Sequence, residues 1–522
     1  MDLASSSACI PSTFSTPILF GVGILSLNAS PVHNYSRYVS DQDYVGNPEV
    51  FVENANFCNV TVTYTHPGQG DAVTVEAWLP LPWNGRLQAV GGGGWTAGRS
   101  PLTASMMSGA VGQGYATITT DAGLGNAQVP RTWALLSPGN VNWHALQNLA
   151  SSSLNEQALL GKHLVSDFYG RPPEYSYFNG CSQGGRQGVQ LAQRYPDAYD
   201  GIAAGAPAIY WPQFFHAMLW PQLVMKTTAQ YPHACELEFL QFAVINHCDG
   251  QDGILDGIIM DPETCEFDPF EFVDTSFYCN ETRSTMQLSH GAAAVAAAYR
   301  AGARAPDGSQ LWYGPLWGSN MTRTIFGTPG LVATRCKEDG TSCEGIPFPY
   351  GMFWVRYFAM KDPDWDFKTM TPQSFARTFH LATQEYASIY GTSDPNLSLF
   401  RDTGGKMITY HGLMDEITPP QGTRHYYNEV IESTQDTNSF FRHFEVPGLG
   451  HCYGGNGGHP NHVFDALRAW VENGTAPDSI PIDVPRIGPS QRRLLCPYPQ
   501  KILAESARDG HETDSIKFYC SS

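Results

Sequence analysis

The sequence predicts an α/β protein with a largely parallel sheet, interrupted by one long inserted segment. Up to about residue 208, β-rich runs alternate with helical patterns, which is the order that a parallel sheet requires. Residues 209–400 lack clear strand alternation, and strand-like runs resume at Lys406. We therefore expect one core made of residues 1–208 and 401–522, with residues 209–400 as an inserted lid domain.

Hydrophobic periodicity and turn residues place the individual elements. Strands are predicted at residues 60–65, 73–79, 86–90, 115–120, 175–179, 201–206, 406–410 and 440–446. Helices are predicted at residues 142–169, 185–195 and 462–472, and the last of these carries Val463, Leu467, Trp470 and Val471 on one face.

Composition and charge describe a folded chain and exclude two kinds of partner. Of the 522 residues, 42% are hydrophobic and only 15% are charged, which argues against disorder. The formal net charge of −19, without a cluster of Lys or Arg, would repel phosphate backbones, so we expect no nucleic-acid partner. No apolar stretch is long enough to span a membrane, so we expect no membrane partner either.

Cysteines and glycosylation signals indicate the secretory route. Twelve cysteines occur with seven Asn-X-Ser/Thr sequons, at Asn28, Asn34, Asn59, Asn280, Asn320, Asn396 and Asn473. The positive region of a signal peptide is missing, because Asp2 precedes the apolar residues 18–27 and the first Lys or Arg is Arg37. We expect a secreted glycoprotein whose signal has been removed and Met1 added; an intracellular protein is the weaker alternative.

Residues 180–184, Gly-Cys-Ser-Gln-Gly, fit the Gly-X-Ser-X-Gly nucleophile elbow. A strand is predicted directly before them and a helix directly after them. In such an elbow, small flanking residues allow a strained turn that pushes the hydroxyl of Ser182 out of the sheet. The N-terminus of the following helix then faces the carbonyl oxygen that becomes negative. An ordinary Gly-rich turn is the alternative interpretation.

An elbow of this kind needs an acid and then a base later in the chain. Asp415 follows the predicted strand at 406–410, where the end of the sheet would present it to the nucleophile, and Glu416 is the competing carboxylate. His451 lies in a Gly-rich loop after the last predicted strand, where its imidazole can accept the proton of Ser182. We predict a Ser182–His451–Asp415 triad on an α/β-hydrolase core.

Two cysteines flank the predicted nucleophile and base. Cys181 precedes Ser182 and Cys452 follows His451. If the serine and the histidine lie within hydrogen-bond reach, the two cysteines are close enough for a disulfide that would fasten the histidine loop to the elbow. Two separate thiols, or a reactive Cys181, are the alternatives.

A glycine run after the strand at 86–90 is a candidate oxyanion hole. Residues 91–94 are all glycine and Trp95 follows them. The backbone N–H groups of Gly92 and Gly93 are predicted to bind the oxyanion, with the amide of Gln183 as a further donor. A tight turn without function is the alternative.

Residues 249–258 form an acidic, glycine-rich loop that suits a calcium ion. Hard oxygen ligands at this density are typical of Ca²⁺ sites, and the loop is not an EF-hand. The predicted ligands are the carboxylates of Asp249, Asp252 and Asp256 and the carbonyls of Ile254 and Ile258. A solvated acidic turn is the alternative.

These motifs together resemble those of the fungal tannase and feruloyl esterase family. Its signature of Cys-Ser, Asp and His-Cys corresponds here to Cys181-Ser182, Asp415 and His451-Cys452. The resemblance also covers residues 58–62, 91–95, 180–188, 249–258 and 470–474, and so runs over nearly the whole chain.

The resemblance implies a structural calcium ion in the lid and a set of disulfides. It implies Cys181–Cys452, Cys9–Cys58, Cys248–Cys265 and Cys496–Cys520, and we pair the remaining cysteines as Cys235–Cys279 and Cys336–Cys343.

The resemblance also implies a serine esterase that releases aromatic acids from plant esters. We favour hydroxycinnamic acids such as ferulic acid; galloyl esters and a fungal secondary metabolite are the alternatives. Some aromatic residues of the lid are expected to line a pocket for a flat phenolic acid, while most belong to the core. These residues are Trp211, Phe214, Phe215, Trp220, Trp312, Trp317, Phe353 and Trp354. A non-catalytic binding module is disfavoured because all three triad residues are present.

Overall fold

A nine-stranded sheet runs through the centre of the molecule. The computed structural model describes residues 8–125, 127–337, 342–484, 492–505 and 517–521, so Met1 and Asp2 lie outside the described residues. The strands of the central sheet are β1 (Gly23–Val39), β2 (Val50–Thr65), β3 (Val73–Leu81), β4 (Arg86–Val90), β5 (Ala116–Thr120), β6 (Tyr175–Cys181), β7 (Gly201–Gly205), β8 (Lys406–Gly412) and β9 (Phe441–Val446).

The sheet has the order β1-β2-β3-β5-β4-β6-β7-β8-β9. The pairs β1–β2, β2–β3 and β3–β5 are antiparallel, whereas every neighbouring pair from β5 to β9 is parallel. Consequently β4, β6, β7, β8 and β9 all end at one edge of the sheet. Loops that leave this edge can meet over it, as in other open parallel sheets.

Helices cover both faces of the sheet and fill the long insertion. They are α1 (Pro101–Gly112), α2 (Trp143–Gln147), α3 (Ser153–Tyr169), α4 (Gln183–Arg194), α5 (Trp211–Ala217), α6 (Trp220–Thr228), α7 (Ala234–Cys248), α8 (His290–Ala301), α9 (Pro349–Trp354), α10 (Pro372–Tyr386), α11 (Ser398–Asp402), α12 (Pro420–Ser433) and α13 (Val463–Asn473). No helix among the described residues is long and apolar enough to cross a membrane.

The structure confirms an α/β fold but differs from the predicted elements in several places, and helices α1 and α12 were not predicted. Strand β1 was missed, because most of its residues are exposed or half-buried and its sequence alternates only weakly. The helix predicted over residues 142–169 is interrupted by a π-helical turn at Asn148–Ser152, which separates α2 from α3. A π-helical turn contains one residue more than an α-helical turn, and the spacing of hydrophobic residues does not reveal this extra residue.

The inserted segment is defined here as residues 206–405, between β7 and β8. Its described residues, 206–337 and 342–405, contribute no strand to the central sheet. Its helices pack through a continuous cluster of aromatic rings, in which Trp95 of the core stacks on Phe358 and meets Trp211 edge-on. The core and the insertion therefore share one hydrophobic interior. The division into a core domain and a lid domain at 208 and 401 stays a prediction.

All twelve cysteines pair in six disulfides. They are Cys9–Cys58, Cys181–Cys452, Cys235–Cys279, Cys248–Cys265, Cys336–Cys343 and Cys496–Cys520. The pairings that were expected from the resemblance, and the two that were added to them, are confirmed. A reactive free Cys181 is thereby ruled out for this structure.

A half-buried ion cluster joins the β2–β3 turn to α3. The imidazole of His66 lies 2.6 Å from an oxygen of Asp71 and 2.8 Å from one of Glu156, whose other oxygen accepts a hydrogen bond from Tyr64. Burial lowers the pKa of His66, but hydrogen bonds to the two carboxylates outweigh it and raise that pKa above 6.5. Burial raises the pKa of Asp71, but the hydrogen bonds that it accepts outweigh burial and lower this pKa to about 2.

These shifts give a pH window for stability. Because the pKa of His66 is raised on folding, its contribution is complete below pH 6.5 and is lost as the pH rises through the folded pKa. Because the pKa of Asp71 is lowered, its contribution is lost as the pH falls from 3.8 towards 2.

We expect His66→Gln to cost about 1 kcal/mol of unfolding free energy at pH 5, and less at pH 9. Denaturant unfolding of both proteins at each pH measures this, with His33→Gln as an exposed control; an equal loss at both pH values would contradict it.

Candidate active site

Ser182 lies in a sharp turn between β6, which ends at Cys181, and α4, which begins at Gln183. Its backbone has φ 63° and ψ −120°, a conformation that non-glycine residues rarely adopt. Such strain persists only where the surrounding packing enforces it. The turn lifts the hydroxyl above the carboxyl edge of the sheet, as the nucleophile-elbow motif predicts.

Glycines around the turn are required by close backbone contacts. A Cβ on Gly180 would lie 2.6 Å from the carbonyl carbon of Gly184, and a Cβ on Gly185 would lie 2.3 Å from the carbonyl oxygen of Gly205. Both distances are too short for any side chain. Helix α4 can therefore start directly against the ends of β6 and β7 only because glycine occupies these positions.

The three predicted triad residues come together in one hydrogen-bonded chain. The Nε2 atom of His451 lies 2.8 Å from the Oγ of Ser182, and its Nδ1 atom lies 2.7 Å from Oδ2 of Asp415. Ser182 follows β6, Asp415 follows β8 and His451 follows β9, so each side chain comes from the carboxyl end of a strand. The arrangement allows the imidazole to accept the serine proton while the carboxylate orients the ring.

Asp415, and not Glu416, holds the imidazole. Oδ1 of Asp415 accepts the backbone N–H groups of Ile417 and Thr418 at 2.8 and 2.7 Å, and Oδ2 also lies 3.0 Å from Nε2 of His411. Burial favours the neutral acid, but the charge of His451 and the hydrogen bonds of the two histidines outweigh it. They hold the pKa of Asp415 well below its usual range, so the group is ionised at neutral pH.

His451 is 2% exposed and sits against two carboxyl groups. Burial lowers the pKa of the imidazole, whereas the charge and hydrogen bond of Asp415 and the charge of Glu416 raise it. The balance places the pKa of His451 above its usual value. A base of this strength is suited to accept the proton of the Ser182 hydroxyl.

A disulfide ties the histidine loop to the elbow. Cys181 and Cys452 are bonded, with their Cα atoms 5.9 Å apart, although 271 positions separate them in the sequence. The bond joins the residue before the nucleophile to the residue after the base. It fixes the two halves of the hydrogen-bonded pair relative to each other.

Of the three predicted oxyanion donors, the structure contradicts Gly92, while Gly93 and Gln183 stay predictions. The N–H of Gly92 donates to Oε1 of Gln187 at 3.0 Å, so this amide holds the loop against α4 and does not point to the serine. The prediction for Gly92 is therefore wrong in this structure; a periodic pattern cannot reveal that a side chain of α4 caps this amide. Gly93 lines the same cavity as Ser182, and Gln183 occupies the first position of α4. These two amides remain the predicted donors.

Sequence reasoning missed a polar network behind the elbow. Arg186 is fully buried and donates to Oε1 of Gln183 at 2.9 Å, to Oγ1 of Thr392 at 2.7 Å and to the carbonyl of Ala150 at 2.9 Å. Its guanidinium also lies over the ring of Tyr390. Thr392 and Tyr390 belong to the inserted segment, so this arginine joins the elbow helix to the insertion. An arginine inside a Gly-rich helix start was the available signal.

A cavity of about 520 Å³ opens directly onto Ser182 and His451. Rings from the inserted segment form much of its wall, namely Trp211, Phe214, Phe215, Phe326 and Tyr350. Arg37 and Asp43 also line it, together with Met106 and Met218. Of the aromatic residues that were predicted to line a pocket, Trp211, Phe214 and Phe215 do so. Trp220, Trp312, Trp317, Phe353 and Trp354 are not among the lining residues.

The sequence matches one known protein family over most of its length. Residues 58–520 match the profile of the family described as "Tannase and feruloyl esterase". This chain belongs to that family. Family membership makes it a carboxylic ester hydrolase.

Individual relatives agree with this assignment. A probable feruloyl esterase of Arthroderma benhamiae is 38% identical over 89% of this chain and 86% of its own length. Probable feruloyl esterase B-2 of Aspergillus terreus is 29% identical over 89% of this chain and 86% of its own. The solved tannin acyl hydrolase from Aspergillus niger is 26% identical and superposes with a TM-score of 0.84, covering 100% of this chain and 95% of that one.

The acidic loop at residues 249–258 is held in place by hydrogen bonds from its own backbone to two of its carboxylates. Oδ1 of Asp249 accepts the backbone N–H groups of residues 256–258 at 2.9–3.1 Å, and Oδ1 of Asp252 accepts that of Ile254 at 2.9 Å. Oδ2 of Asp252 is buried without a hydrogen-bond partner, which fits a cation ligand. Asp256 pairs with Arg493, a single positive charge among three carboxylates. The excess negative charge of the loop and the free oxygen of Asp252 favour a cation, but the carboxylates of Asp249, Asp252 and Asp256 do not converge within ligand distance of one another in this structure.

We expect the double variant Cys181→Ser/Cys452→Ser to lose both stability and activity. Removing a cross-link that closes so long a loop costs about 3–5 kcal/mol of unfolding free energy. Releasing the His451 loop should also lower kcat/KM for an ester substrate about 10-fold or more, because the base is no longer held at the nucleophile. Thermal unfolding and initial rates measure the two effects. The control Cys9→Ser/Cys58→Ser should lower the melting temperature only, and an active-site variant with unchanged kcat/KM would refute the positioning role.

Proposed function

We propose that this family member is a serine esterase that hydrolyses esters of aromatic acids. The observation that carries the proposal is the continuous chain from Ser182 through His451 to Asp415 at the floor of a cavity walled by aromatic rings. A positioned nucleophile, base and orienting acid perform acyl transfer, and flat rings pack well against a phenolic acyl group.

In the first step, the Oγ of Ser182 attacks the ester carbonyl while His451 Nε2 accepts its proton. The tetrahedral intermediate carries its negative charge on the former carbonyl oxygen, which the amides of Gly93 and Gln183 are placed to bind. Collapse of the intermediate breaks the bond to the alcohol, and His451 donates its proton to the leaving oxygen. The acyl group remains on Ser182.

In the second step, water attacks the acyl-enzyme with His451 again as the base. The imidazolium that forms in both steps is stabilised by ionised Asp415, whose low pKa keeps it charged throughout. Collapse of the second intermediate releases the aromatic acid and restores Ser182.

The proposed acyl group is a hydroxycinnamic acid, with ferulic acid as the leading candidate. Two relatives at 38% and 29% identity carry the name feruloyl esterase. The structural neighbour from Aspergillus niger is named a tannin acyl hydrolase, and this favours galloyl esters as the second candidate. The cavity of about 520 Å³ accommodates an aromatic acid of either kind. An ester of a secondary metabolite is the third candidate.

Hydrolysis of methyl ferulate, methyl gallate and a plain alkyl ester, by wild type and Ser182→Ala, tests the function. We expect wild type to cleave methyl ferulate with the highest kcat/KM, and Ser182→Ala to lose roughly 10³-fold or more while keeping its melting temperature. A higher kcat/KM on methyl gallate would favour the second candidate. Turnover by Ser182→Ala near that of wild type would refute the serine mechanism altogether.

We propose that the loop at residues 249–258 binds a structural Ca²⁺. Asp249, Asp252 and Asp256 would supply carboxylate oxygens, and Ile254 and Ile258 would supply carbonyl oxygens. The unpartnered oxygen of Asp252 supports this, and the Cys248–Cys265 disulfide brackets the loop. The ion would stabilise the inserted segment and would take no part in the acyl transfer.

Chelation measures the contribution of this ion. We expect EDTA to lower the melting temperature of the wild type and added Ca²⁺ to restore it, because a ligand that binds only the folded state stabilises it. Asp252→Asn should abolish this dependence, whereas Asp364→Asn, in an exposed loop, should retain it. A wild-type melting temperature that is indifferent to EDTA and Ca²⁺ would count against the metal.

We also propose that the protein is secreted and glycosylated. Six disulfides are typical of proteins that fold in an oxidising compartment. Among the sequon residues, five are exposed, at Asn28, Asn34, Asn280, Asn396 and Asn473. Asn59 and Asn320 are half-buried, and their side chains bond to Glu76 and to backbone amides. The exposed five are therefore the proposed glycan sites.

A further inference from the structure

Glu416 is a second buried carboxyl group beside the catalytic chain, and the proposed mechanism gives it no role. It is 1% exposed. Its Oε1 accepts the backbone N–H of Ile325 at 2.9 Å, and its Oε2 accepts the backbone N–H of His451 at 3.2 Å. One carboxylate thus connects the loop of the base to the inserted segment.

The contact in the inserted segment is a tight hairpin at residues 323–329. Arg323 pairs with Pro329 in an antiparallel bridge, and the N–H of Thr324 donates to the carbonyl of Thr328 at 2.9 Å. Phe326 lies at the tip of this hairpin, directly after Ile325, and lines the cavity over Ser182.

The tip of the hairpin packs against the histidine loop. The ring of Phe326 lies edge-on to the imidazole of His451, with centroids 6.2 Å apart, and edge-on to Tyr453 at 5.6 Å. A Cβ on Gly450 would lie only 3.0 Å from Cγ2 of Ile325. The hairpin and the His451 loop are in close contact, and Glu416 accepts one amide from each.

We propose that Glu416 is a positioning residue, which fixes the Phe326 hairpin to the His451 loop and adds a second negative charge beside the imidazole. The inference rests on the proposed esterase mechanism. Both bonds need an acceptor, and only a carboxylate offers two acceptor oxygens at this point. A glutamine would place an N–H₂ group against one of the two amide donors.

The charges around Glu416 make its ionisation important. Asp415, His451, Tyr299 and Tyr453 are the titratable groups that interact with it, and in the described part of the chain it forms no ion pair with Lys or Arg. Burial, and next the charge of Asp415, raise the pKa of Glu416 to about 7, while His451 opposes them. Ionised Glu416 in turn raises the pKa of His451.

These two effects determine how Glu416 acts on the reaction. Above a pH of about 7, where Glu416 is ionised, its negative charge stabilises the imidazolium that forms when Ser182 attacks, in addition to the charge of Asp415. Removing that charge should lower the pKa of His451, so the base should remain neutral down to a lower pH. The acid limb of kcat/KM reports this pKa in the free enzyme.

The test compares pH profiles of kcat/KM for wild type, Glu416→Gln and Glu416→Asp on the ester that wild type cleaves best. We expect Glu416→Gln to move the acid limb to lower pH by about half a unit or more, and to lower kcat/KM at its optimum about 10-fold. Acid unfolding of a destabilised variant would move the limb to higher pH, which is the opposite direction, so a loss of stability cannot imitate the shift. Glu416→Asp keeps the charge but is too short to reach both amides, so its kcat/KM should fall while its acid limb stays.

Glu432→Gln, an exposed carboxyl on α12, is the matched control and should leave both quantities unchanged. An acid limb of Glu416→Gln that coincides with that of wild type would overturn the inference, as would an equal shift in Glu416→Asp. Ser182→Ala is assayed in parallel. Turnover that survives Ser182→Ala overturns the proposed function and this inference with it, whereas Ser182-dependent turnover with an unshifted limb overturns this inference alone.

Discussion

The close approach of the elbow helix to the ends of β6 and β7 is the constraint on which the whole site depends. A Cβ at Gly180 or Gly185 would lie within 2.6 Å of another backbone atom, so no side chain is tolerated there. This packing forces Ser182 into a strained conformation and exposes its hydroxyl. It also starts α4 directly after Ser182, so the amide of Gln183, a proposed oxyanion donor, is the first of that helix. The reactive geometry is thus a consequence of backbone packing and not of the serine side chain itself.

The site must also bury two carboxyl groups beside one imidazole. Each carboxyl group needs hydrogen-bond donors that offset the cost of its burial. Asp415 accepts two backbone amides and two histidine nitrogens, and these bonds more than offset the cost of burying its charge. Glu416 accepts two backbone amides, from Ile325 and His451, and in the described part of the chain no charged side chain donates a hydrogen bond to it. The pKa of Asp415 therefore lies below its usual value, whereas the pKa of the neighbouring Glu416 lies above its usual value. The two adjacent carboxyl groups thus differ in pKa because they differ in the number and charge of their hydrogen-bond donors.

The sequence was informative where function depends on backbone order, and less so where it depends on side-chain contacts. The elbow, the acid after β8 and the base after β9 follow from strand order and from glycine spacing, so Ser182, Asp415 and His451 were found. Nothing in the pattern showed that Gln187 would bind the amide of Gly92, because that contact joins parts of the chain 95 positions apart. Strand β1 was missed for a related reason: edge strands with two largely exposed faces carry little hydrophobic alternation.

The proposed chemistry and the proposed substrate selection lie in different parts of this fold. Ser182, Asp415 and His451 all follow strands of the central sheet, whereas Trp211, Phe214 and Phe215 of the cavity wall come from the insertion. Two buried polar residues, here called anchors, hydrogen-bond to the insertion and fix its position relative to the proposed catalytic residues. They are Arg186 behind the elbow and Glu416 beside His451. A change in the aromatic wall can alter which acid is accepted without touching the proton transfers. A change in either anchor would disturb both, since it shifts the wall and the catalytic side chains together.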